Sequence, residues 1–171
     1  MSSISDSPEL ARTVRICQVI VGALLMGTLT FLGILFVIRT VPTPGILSYV
    51  CLGFALIQIT ARTVVLKVID ASAVKRAARA SPEVALQQLL AIYQTRTLIG
   101  AALLEGLAFF ACICYLLERQ PAVLAVIAIC VAGLLVQMPS ISKATAWIET
   151  QLKAIDAQRG AKSDTPPAVN W

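Results

Sequence analysis

Four stretches of this chain are almost free of charge, and each is about as long as a membrane is thick. Between Arg15 and Arg39 lie 23 uncharged residues, and between Arg39 and Arg62 another 22. The 21 residues from Thr97 to Leu117 carry one charge, Glu105, and the 23 from Gln120 to Ser142 carry none. A hydrocarbon core about 30 Å thick takes about 20 residues of α-helix. The pattern predicts an all-α integral membrane protein with four transmembrane helices, over about 16–38, 45–66, 97–117 and 121–138. Composition points the same way: 58% of the 171 residues are hydrophobic and 13% charged, against about 25% charged in soluble domains. A soluble chain this short has too little interior to bury so much apolar surface.

Orientation follows from the basic residues that flank the spans. Arg12 and Arg15 precede the first, six Lys and Arg lie from Arg62 to Arg96, and Lys143, Lys153, Arg159 and Lys162 follow the fourth. Only Arg39 and Arg119 fall on the other side. The positive-inside rule then predicts an up-down-up-down bundle in the cell (inner) membrane, with both termini and the central connection cytoplasmic. The net charge of +5 reads as topology and attraction to anionic lipid. No nucleic-acid motif accompanies it, so the lipid bilayer is the expected partner. Ile16 to Ile38 is too long for the apolar region of a secretory signal. All five cysteines fall inside spans without C-x-x-C spacing, as small packing residues would.

The connections on the outer side are short. TVPTP joins spans one and two, and ERQP joins three and four, with prolines where a helix ends or begins. Residues 1–14 form a cytoplasmic N-terminus. Residues 67–96 form the tip of a helical hairpin that protrudes into the cytoplasm, broken once at Ser81 and Pro82, where Ser81 suits an N-cap and Pro82 the first helical position. After Pro139, residues 139–158 repeat apolar side chains at Ile141, Ala144, Ile148, Leu152 and Ile155, which makes one stripe on a C-terminal amphipathic helix. That stripe needs a cover, either the hairpin extension or the bilayer surface. Trp147 beside it reads as an interface anchor, and residues 159–171 have no periodicity and read as a disordered tail.

Glu105 is the one charge deep within a span. A carboxyl at that depth has to be neutral, paired or in contact with water. If the hairpin turns near Ser81 and Pro82, Gln58 lies at the level of Glu105, and its amide offers both donors and an acceptor. Arg62, one turn along the same face as Gln58, either reaches the interface by extending its side chain or forms an ion pair with Glu105. Small residues at helix-packing spacing, such as Ala102 with Gly106, mark faces where helices approach closely.

The string ARASPE, Ala78 to Glu83, followed by a helix containing IGAALLEGLAFFACI around Glu105, resembles the proteolipid subunit c of rotary ATP synthases. That family is a helical hairpin with a polar cytoplasmic loop and an ion-carrying carboxylate on its second helix. The resemblance implies Glu105 as the carrier, Gln58 as its partner in a sodium-type site, and Arg79, Pro82 and Glu83 as the loop that meets a soluble subunit. It covers at most Gly45 to Glu118, and span two lacks the family's glycine run, having only Gly45 and Gly53.

Enzyme chemistry has no foothold. The chain has no His and no nucleotide-binding or nucleophile-elbow string, so no cofactor, metal or catalytic residue is expected. Two functions remain. The first is a structural or interaction component of a membrane complex, with other membrane helices or further copies of the chain as partners. The alternative is a proton- or cation-binding subunit that uses Glu105 with Gln58.

Overall fold

The structure is a computed structural model that describes residues 7–38, 41, 45–77 and 82–163, with the side chains of 82, 83 and 158–163 excepted. Those residues form five α-helices and no strand: α1 Pro8–Val37, α2 Leu47–Ala77, α3 Pro82–Glu118, α4 Pro121–Val136 and α5 Ile141–Ser163. The first three are long and apolar enough to cross a membrane. At about 1.5 Å per residue, the 37 residues of α3 span about 55 Å, well beyond a hydrocarbon core of about 30 Å. The surplus of α2 and α3 makes a hairpin that extends past the apolar zone.

Local chemistry fixes the ends. Ser7 caps α1, its hydroxyl accepting from the Leu10 N–H at 3.2 Å, with Pro8 in the first turn. α3 and α4 are joined by only two residues, and Arg119 makes that connection in left-handed backbone (φ 52°). The fourth span, expected over 121–138, ends two residues earlier, at Val136. α4 has 16 residues, about 24 Å of helix, because the chain turns at Gln137 and Met138 ahead of Pro139. α5 then leaves at 77° to α4, so the pair counts as a fourth crossing only if it is one broken span.

α3 is the central helix. It packs on α1, α2, α4 and α5, whereas α1 and α2 do not pack on each other among the described residues. In the half nearer the α3–α4 connection the core is built from small side chains of α3, Ala108, Ala111, Cys112 and Cys114, facing Leu35 of α1, Cys51 and Ala55 of α2, and Ile127 and Cys130 of α4. Small residues let the backbones approach, which is how helices gain contact where lipid removes the hydrophobic drive. All five cysteines are buried free thiols.

A second core lies at the hairpin end. Leu10 and Val14 of α1, Ala73 and Ala77 of α2, and Leu89, Leu90 and Tyr93 of α3 enclose Ala144, Ile148 and Ile155 of α5. The hairpin extension is thus what covers the α5 stripe. Ile141, at the start of that stripe, stays 44% exposed. Trp147 is half-buried, its ring 5.6 Å from that of Tyr93 with the Arg96 guanidinium over it.

Candidate functional site

Every polar side chain inside the apolar zone has to be accounted for, because water is not there to satisfy it. Gln58 donates its amide to the Leu103 carbonyl at 3.3 Å. It therefore meets α3 at the level of Glu105 but holds the backbone two residues before it. Leu103 and Glu105 lie about 200° apart around a helix, so the Glu105 side chain leaves α3 on another side. That side faces α1, where a Cβ added to Gly27 would lie 3.8 Å from Glu105 Oε1. Glu105 is half-buried, and no hydrogen bond or ion pair to it is found among the described residues.

Arg62 goes elsewhere. Its guanidinium donates to Gln137 Oε1 at 2.8 Å, and Gln137 Nε2 donates in turn to the Thr97 carbonyl at 3.1 Å. Gly100 makes room for this link, since a methyl group there would overlap the Gln137 amide. Close by, Arg96 Nε stands 3.0 Å from Asp70 Oδ1, and Gln18 donates to the Pro139 carbonyl at 2.9 Å. These residues form a polar layer between the apolar clusters of the spans and the hairpin-end core. Arg62 sits in it as a tie between α2 and the end of α4.

At the opposite end two adjacent residues bind two helix ends. Glu118 accepts from the Leu47 and Ser48 N–H groups, both at 2.7 Å, so a carboxylate meets the positive end of α2. Arg119 donates to the Leu35 carbonyl at 3.3 Å and to that of Ile38, so a cation meets the negative end of α1. The ERQP connection reads as a plain loop in sequence; its partners lie about 70 to 80 residues away, beyond the reach of any local pattern. Gln137 is the other residue that sequence reasoning passed over, and its one visible mark is polarity just ahead of Pro139.

Between α1 and α2 the surface of α3 is open. Phe109 stacks edge-on with Phe31 of α1 at 5.4 Å, and Phe110 does so with Phe54 of α2 at 5.3 Å. Between these two contacts Ala102, Gly106 and Ile113 are exposed along one face of α3. The result is a cleft with a floor of small residues and aromatic walls, and Glu105 lies on its α1 side. Among the described residues no group of three or more His, Cys, Asp or Glu is placed to hold a metal ion. Arg79 lies outside the described residues, and for Pro82 and Glu83 only the helical backbone at the start of α3 is described. No protein-family model, curated protein or solved structure matches the chain.

Proposed function

We propose that this protein is an interaction component of a membrane complex, and that the cleft over α3 receives a transmembrane helix of its partner. One observation carries the reading: an intramembrane carboxyl without a hydrogen-bond partner among the described residues stands at the edge of a cleft whose floor is Ala102 and Gly106. Small residues allow a second helix to approach closely, and a donor on that helix would satisfy Glu105 where lipid cannot. In this reading both termini and the hairpin end face the cytoplasm of the cell (inner) membrane, which the basic residues at that end support.

The test is photo-crosslinking in the native membrane. A photoreactive residue at Ala102 or Ile113 is expected to give a discrete protein adduct, while one at Val64, exposed on the far side of α2, gives only lipid adducts. Glu105→Ala should reduce the adduct several-fold. Indistinguishable adducts at all three positions, or none at Ala102 and Ile113, would remove the reading.

A second reading has its own support. With Arg62 held by Gln137, no cation is fixed against Glu105 among the described residues, which suits a proton- or cation-binding role for Glu105 of the kind the subunit c resemblance implies, with Gln58 at its level but turned to the Leu103 carbonyl on another side of α3.

A further inference from the structure

A groove of about 500 Å³ runs between the first turns of α1 and the start of α5, lined by Pro8, Arg12, Arg15, Gln18 and Ile141 among others. Arg12 and Arg15 are three residues apart and so share one helical face. Both are exposed, and neither has an ion-pair partner among the described residues. The groove's depth relative to the apolar zone is set by two facts. Arg15 is the last charge before the 23 uncharged residues of α1, and Gln18 is bonded to Pro139 at the elbow where α4 has ended. Lys143 closes the same elbow, its ammonium donating to the Val136 and Met138 carbonyls. Just beyond Arg15, Ile16 and Val19 are 40% and 66% exposed.

We infer that this groove binds the headgroup of an anionic glycerophospholipid. The phosphodiester lies between the Arg12 and Arg15 guanidinium groups, which suit phosphate through their planar donor forks. Its acyl chains run along Ile16 and Val19 into the hydrocarbon. A zwitterionic headgroup fits less well, because its own cation meets two arginines. A soluble phosphate offers the same kind of anionic oxygens but gains nothing from the apolar surface beside the groove.

The full chain in detergent, titrated with phosphatidylglycerol, phosphatidylcholine or inorganic phosphate and read by native mass spectrometry, tests the inference. The expected result is one phosphatidylglycerol retained in preference to phosphatidylcholine, and no effect of inorganic phosphate. Arg12→Gln with Arg15→Gln should weaken retention about ten-fold or more, whereas Lys75→Gln with Arg76→Gln, an equal charge change at exposed positions on α2, should leave it unaltered. If the first double variant fails to fold, the single variants Arg12→Gln and Arg15→Gln are read in its place, each with a smaller loss expected. Equal losses from both pairs, equal retention of the two lipids, or displacement of lipid by inorganic phosphate would overturn the assignment.

Discussion

A single carboxyl in a span raises a question that only its neighbours answer. Glu105 has no fixed partner among the described residues, whereas the two candidates beside it are already committed, Gln58 to the Leu103 carbonyl and Arg62 to Gln137. A hydrophobic carbodiimide attacks a carboxyl only in its protonated form, so it reports whether Glu105 is neutral or ion-paired. The expected outcome near neutral pH is one adduct, seen by mass spectrometry, which Glu105→Gln abolishes. Arg62→Ala should leave that adduct unchanged, since the tie it cuts is the one to Gln137. An adduct that appears only in Arg62→Ala would mean that the arginine holds Glu105 charged, and would sink the ion-binding reading. The sequence made Glu105 and its level in the bilayer legible, because charge and spacing along one helix are local quantities. The facing partner was not legible, because it depends on how α2 and α3 are rotated about their axes.

The same division between what is local and what is not governs the elements. The α5 stripe is visible as spacing, yet an apolar stripe is equally suited to a bilayer surface or to a helical hairpin. The choice is made by Leu89, Leu90 and Tyr93, which the long α3 carries past the apolar zone to meet Ala144, Ile148 and Ile155. Ile148 is fully buried there. Ile148→Asp places a charge in a closed core without a partner, a change that costs at least about 3 kcal/mol. A clear loss of thermal stability in detergent is expected for it, and little change for Ile141→Asp at the exposed start of the stripe. Equal behaviour of the two variants would mean that α5 rests on the membrane and leaves the hairpin bare. The end of α4 at Val136 falls two residues short of the 121–138 expected, because Pro139 sets the limit of the helix and the turn begins just ahead of it.

For the whole molecule, the two ends differ in what closes them, and that difference offers a test of orientation. At one end a few residues suffice: Glu118 and Arg119 hold the ends of α2 and α1, and α3 passes into α4 within two residues. At the other end the surplus of α2 and α3 packs with α5 into a second core and gathers most of the basic residues. A bilayer with anionic lipid and a translocation machinery that resists moving Lys and Arg would both keep such an end on the cytoplasmic side, which is the orientation proposed. The five native cysteines are buried, so an impermeant thiol reagent should leave the unsubstituted protein unlabelled in intact cells. Val41→Cys and Gln120→Cys, both exposed at the compact end, are expected to label from outside, while Asp156→Cys on α5 labels only after the membrane is opened. The two-residue α3–α4 connection ties Gln120 to the end of α3, so labelling at Gln120 also requires α3 to traverse the whole bilayer. Labelling of Asp156→Cys in intact cells with Val41→Cys protected would invert the molecule. Labelling at both Gln120 and Asp156 would put the two ends of the α4–α5 pair on the same side, as a re-entrant loop does, and would detach α5 from the hairpin-end core.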